Sequence, residues 1–150
     1  PAGIRDRAGH AARGLIRGRA LNIATFCIAA LGCLVLSMGF GVSLQRRSAK
    51  TGLGTPDDPA HPLTRWSRAH GNTAEYAPML AILIYLVAQP GAPLWVSVCA
   101  VGATVSRYSM FASMAFAPTL AKPNAGRFLG ALGTYLFGTG LVIAAFLQAF

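Results

Sequence analysis

Three long stretches of this 150-residue chain carry no charged side chain. They cover residues 20–45, 76–106 and 128–150, runs of 26, 31 and 23 residues without Asp, Glu, Lys or Arg. A helix that crosses a bilayer needs about 20 mostly apolar residues. The first and last runs each fit one span. The middle run is too long for one and is split by Gln89-Pro90-Gly91-Ala92-Pro93, a strong turn signal. The pattern predicts four helices, at about 20–44, 66–89, 93–117 and 126–149. The expected fold is all-α: an integral membrane four-helix bundle forming one domain over 20–150, behind a basic arm over 1–19.

Composition excludes the main competitors. Charged residues make up 11% of the chain and hydrophobic ones 54%, whereas a soluble domain carries about 25% charged residues. Mean hydropathy is +0.51. A disordered basic tail would lack this apolar mass. The net charge of +9 comes from 13 Lys and Arg against four acids, Asp6, Asp57, Asp58 and Glu75. Only Glu75 borders a long apolar run.

The arm holds Arg5, Arg7, Arg13, Arg17 and Arg19. A signal peptide would have a shorter apolar core, so the first helix is expected to be retained. The arm suits a lipid surface better than nucleic acid. Cys27 and Cys33 are separated by about 9 Å along one helix, so they should not bridge. With Cys99 they are expected to be small apolar fillers. Neither the cysteines nor His61 and His70 show metal-ligand spacing, and no metal is expected. Gly126, Gly130, Thr134 and Gly138 recur every four residues, a small-residue face for close helix contact.

The second helix concentrates the chemistry. Arg68, Asn72 and Glu75 stand at i, i+4 and i+7, which is about 20° short of two full turns, so they share one stripe. Such a stripe must face protein or a wet cavity. Pro78, one turn deeper, leaves the Ala74 carbonyl without its helical donor. With the hairpin turn centred at residue 91, Arg107 on the third helix falls level with Glu75, Met110 with Asn72, and Met114 with Arg68. One end of the bundle is expected to gather Arg46, Arg47, Arg68, Arg107, Lys122 and Arg127 around a buried Glu75. The plain interpretation is a buried Arg107–Glu75 ion pair that locks the hairpin, with the other arginines as interfacial anchors. The functional one is a site for an anionic ligand that also bears a cation. Arginine forks suit carboxylates, a carboxylate suits an ammonium, and an asparagine suits a peptide amide. Glutathione carries all of these groups.

The stretch Arg68-Ala69-His70-Gly71-Asn72-Thr73-Ala74-Glu75-Tyr76-Ala77-Pro78 resembles the second-helix signature of the MAPEG family, membrane-associated proteins of eicosanoid and glutathione metabolism. The loop from Gln45-Arg46-Arg47 to Thr55-Pro56-Asp57-Asp58 is similar to that of its microsomal prostaglandin E synthase branch. The resemblance covers roughly residues 20–150. It implies a homotrimer that binds glutathione as co-substrate in a cleft between subunits near the cytosolic face, with a hydrophobic or lipid substrate entering from the bilayer. It implies glutathione contacts at Arg68, Asn72 and Glu75, with Tyr76, Arg107 and, more loosely, Arg47 and Arg127 joining them, and Asp58 nearby. Thiolate formation and attack on an electrophile or lipid hydroperoxide would be stabilised by Arg127 or Arg107. Glu75 as a general base is the lesser alternative.

The sequence departs from the family where active members often place Tyr or His after the third-helix arginine. Here those positions are Met110 and Met114. Tyr108 lies about 100° around the helix from Arg107. The expected function is a glutathione transferase or peroxidase in a multi-pass membrane protein, placed in the inner membrane for a bacterial chain. Seven positives flank the site end against five in the arm, which points that end to the cytosol. A non-catalytic lipid- or glutathione-binding membrane protein is the second class, which the methionines favour. A small proton-coupled transporter using Glu75 is the third. It would need an alternating path and no arginine cluster.

Overall fold

The computed structural model describes residues 22–150; the basic arm over 1–19 lies outside them. Four helices account for nearly all regular structure: α1 Ile23–Ser48, α2 Pro62–Val87, α3 Leu94–Ala115 and α4 Ala125–Ala149. No strand occurs among the described residues.

Local chemistry sets the helix ends. The Asn22 side chain caps α1, accepting from the Thr25 amide at 3.2 Å. The helix runs four residues beyond the expected 44, because Arg46 and Arg47 suit the negative end of its dipole. α2 starts four residues earlier than expected. Pro62 occupies its first turn, where no amide donor is needed, and His61 Nδ1 accepts from the Leu63 amide at 3.1 Å. The α2–α3 turn centres on Gly91, whose φ of +97° favours glycine. Asn124 caps α4 by accepting from the Gly126 amide at 2.8 Å, while its own amide donates to the Ser113 carbonyl at 3.3 Å. That second bond ties the start of α4 to the end of α3.

The interior has two apolar clusters. The larger contains Leu31, Leu80, Ile84, Val96, Ala100 and Leu141. The smaller contains Leu34, Met38, Ala69, Met114 and Ala115, with Trp66 and Phe111 against it. Along α2 and α3, a polar layer of Asn72, Thr73 and Arg107 falls between the residues of the two clusters. The small-residue face of α4 packs within the chain: an added Cβ at Gly130 would lie 2.8 Å from the Met110 amide nitrogen. The outer faces are apolar, with Leu36, Phe40, Leu132, Leu136, Phe146 and Leu147 all exposed. Exposed apolar residues in such number suit contact with lipid or with another protein chain. By length and composition, α1 and α4 can each cross a bilayer. Cys27 is buried as expected of a filler, but Cys33 is exposed on α1; the three cysteines are free.

Candidate functional site

A cavity of about 360 Å³ opens beside the first half of α2, lined by Arg68, Gly71, Asn72, Glu75, Met114, Leu120 and Arg127. The Arg68–Asn72–Glu75 stripe faces it as one row. Arg127 reaches it from the first turn of α4, and Met114 from the end of α3. Hydrogen bonds between loops fix the remaining wall. The Leu120 amide donates to the Pro59 carbonyl at 3.0 Å, and Arg127 Nη1 donates to the Leu120 carbonyl at 3.0 Å. The Thr64 hydroxyl donates to the Pro56 carbonyl at 2.8 Å, and Arg65 donates to the Ala117 carbonyl. The two loops flanking the cavity are therefore bound to each other and to α2.

Of the expected residues, Arg68, Asn72, Glu75 and Arg127 share this cavity. Arg47 is exposed at the last turn of α1 and is not part of the lining. Asp58 is exposed, and its carboxylate accepts from the Ala60 amide at 2.8 Å, shaping its own turn. Arg46 donates to the Gly52 carbonyl at 3.3 Å. Lys122 lines an adjacent cavity of about 440 Å³ that shares Leu120 and Arg127 with the first.

Two expectations need correction. Glu75 is exposed rather than buried, because the stripe faces outward from the single chain. Nor does Arg107 bond to Glu75. It is 1% exposed and lies outside the cavity lining. Its Nη2 donates to Asn72 Oδ1 at 2.6 Å and to the Asn72 carbonyl at 3.1 Å, with Thr73 Oγ1 at 3.5 Å. Nη1 donates to Thr134 Oγ1 at 3.4 Å. An arginine side chain is about one helical turn long, so the residue level with its Cα is not the one its head meets. Tyr76 is half-buried, and its ring lies over the guanidinium with the carbon 5.1 Å from the centroid. Its hydroxyl sits 3.1 Å from that of Tyr135. Tyr135 was missing from the expected set; an aromatic in an apolar helix gives no signal apart from lipid contact.

Other side chains take packing roles. The Tyr108 hydroxyl donates to the Ala30 carbonyl on α1 at 2.9 Å. His70 packs toward Gly39 of α1. Trp66 meets Phe111 and Phe116 edge-on and closes against Gly41. No group of three or more His, Cys, Asp or Glu that could hold a metal occurs among the described residues.

A four-helix arrangement with an Arg-Asn-Glu row on α2 can be compared with known families. The model of the MAPEG family matches residues 24–147, nearly the whole described chain. The chain belongs to the MAPEG family. Comparison with curated proteins and with solved structures finds no match. As a MAPEG protein it is a membrane helical bundle of a family associated with glutathione. The cavity of this MAPEG chain offers two guanidinium groups, one carboxylate and one carboxamide, with Met114 and Leu120 as its apolar side.

Proposed function

We propose that this MAPEG protein binds glutathione in the Arg68–Asn72–Glu75–Arg127 cavity and acts as a glutathione transferase or peroxidase on hydrophobic electrophiles or lipid hydroperoxides. One observation carries this reading: two cations, one anion and one amide converge on a space of about 360 Å³. That is within the roughly 300–1,000 Å³ of small-molecule sites. The groups complement a tripeptide with two carboxylates, an ammonium and peptide amides. Arg68 pairs with a carboxylate, Glu75 with the ammonium, and Asn72 with the peptide. Arg127, on a different helix, stands where a cation favours thiolate over thiol. The thiol proton leaves to water. The sulfur pair then bonds to an electrophilic carbon, which expels its leaving group or passes its π pair to the neighbouring atom. On a hydroperoxide it bonds to an oxygen as the O–O bond breaks, the alkoxide takes a proton from water, and a second glutathione reduces the resulting sulfenic acid to give the disulfide and water. Arg127 stabilises the charge that develops.

The exposure of Arg68 and Glu75 in the single chain suits a homotrimer in which a second copy covers them. All four helices are proposed to cross the membrane, with the site end cytosolic because it holds the larger share of basic residues. In a bacterial cell this is the inner membrane.

Calorimetric titration of glutathione into detergent-purified protein should show saturable binding; its absence overturns the reading. Gly71 supplies a second test. It lines the cavity, and an added Cβ there meets nothing within 4 Å. Gly71→Leu should therefore block glutathione while the protein still folds. Unchanged affinity would place the ligand elsewhere. The apolar Met114 and Leu120 side supports a second reading, a non-catalytic binding protein. It prevails if glutathione binds but neither a model electrophile nor a lipid hydroperoxide is turned over.

A further inference from the structure

The buried guanidinium of Arg107 and the cavity meet through a single side chain, Asn72. Arg107 is 1% exposed and does not line the cavity, whereas Asn72 does. A guanidinium can only donate. The carboxamide atom 2.6 Å from Arg107 Nη2 is therefore the oxygen Oδ1. That leaves the Nδ2 group, with its two hydrogens, for the cavity. Thr73, Thr134 and the Tyr76 ring also pack against the guanidinium, while its Nε is buried with no hydrogen-bond partner, so its two short bonds both go to Asn72. A charged donor on Oδ1 also polarises the amide and makes Nδ2–H a stronger donor.

We propose that Arg107 is a positioning residue: it fixes the Asn72 carboxamide so that the cavity presents a donor there, and the ligand must bring an oxygen, a carboxylate or peptide carbonyl, to that point. With Asn72 so oriented, the cavity offers donors from Arg68, Asn72 and Arg127 and, among the described residues, one carboxylate acceptor from Glu75. The proposal rests on the glutathione reading for the identity of the ligand, but not for the orientation of the amide.

Two arms keep these apart. In the ligand arm, Asn72→Asp keeps an oxygen toward Arg107 and replaces the cavity-facing donor with an anion. Glutathione affinity should fall about a hundredfold or more, without a drop in the thermal midpoint of the ligand-free protein. Arg107→Gln frees the amide to flip and should weaken binding about tenfold, with Arg107→Lys closer to wild type. Wild-type or tighter binding by Asn72→Asp overturns the proposal. In the ligand-free arm, selective ¹⁵N-asparagine labelling yields side-chain signals from three residues, Asn22, Asn72 and Asn124. The Asn72 pair, assigned by its loss in Asn72→Asp, should be sharp, and it should shift or broaden in Arg107→Gln but not in an Asn124 control. An Asn72 signal indifferent to Arg107 overturns the proposal. If the wild type fails to bind glutathione while the Asn72 signal still answers to Arg107, the ligand assignment falls and the positioning role stands.

Discussion

Arg68→Ala and Glu75→Gln should each lower glutathione affinity by about tenfold to a hundredfold, with the helical fold intact. Both side chains project into the cavity, and neither carries a hydrogen bond that holds helices together. A hydrogen bond involving a charged group contributes about 1.5–3 kcal/mol, and each 1.4 kcal/mol is a factor of ten. The two losses should also be chemically distinct. Glu75→Gln keeps the shape and removes the charge, so its effect should be confined to ligands with an ammonium. N-acetylated glutathione should bind the wild type more weakly than glutathione does, and Glu75→Gln should not weaken it further. Arg68→Ala should weaken both ligands equally. Calorimetry on the six pairs of protein and ligand decides this. A Glu75→Gln penalty that persists with the acetylated ligand would detach Glu75 from the ammonium.

Gly130→Val should produce the largest loss of stability. An added Cβ would lie 2.8 Å from the Met110 nitrogen, 2.9 Å from its Cα and 2.9 Å from its Cβ. Two of those atoms are backbone, so the clash cannot be relieved by a rotamer change; α3 and α4 must part. Overpacking typically costs about 1–3 kcal/mol, and a backbone obstruction belongs at the upper end or beyond. The damage should spread, because Thr134 donates to the Gly130 carbonyl at 2.7 Å and accepts from Arg107. Gly71→Ala is the matched control: it adds a Cβ to open space inside a helix and should stabilise by up to about 1 kcal/mol. Thermal unfolding in detergent, followed by circular dichroism, reads both. A Gly130→Val protein that melts with the wild type would mean that α3 and α4 are less closely packed.

The stripe was legible because helical period is written in sequence: Arg68, Asn72 and Glu75 needed only spacing to fall on one face. The hairpin was legible from the Pro90–Pro93 turn. Facing direction was not. Glu75 borders an apolar run, yet whether a helix face turns inward depends on neighbours that one helix does not encode. The Arg107 partner was misjudged because equal depth was measured between Cα atoms, while the charge sits at the end of a long side chain. Arg127 could be placed only loosely, since its position depends on the Leu120–Pro59 bond between two loops. Tyr135 was invisible: its meeting with Tyr76 joins residues 59 positions apart with no shared motif.

The polar layer also constrains the order in which the molecule can be built. α1 and α4 are each apolar enough to enter a bilayer independently. α3 is different. Its arginine finds its hydrogen-bond partners on other helices, Asn72 and Thr73 on α2 and Thr134 on α4. An unmatched arginine in hydrocarbon is costly. If all four helices cross the membrane as proposed, the third helix would emerge during synthesis before Thr134 of α4 is there to accept from its arginine, and would remain near water or the insertion machinery until the fourth helix arrives. On that topology, chains cut before Thr134 should stall half-inserted, a vulnerability to quality-control proteolysis carried by one side chain.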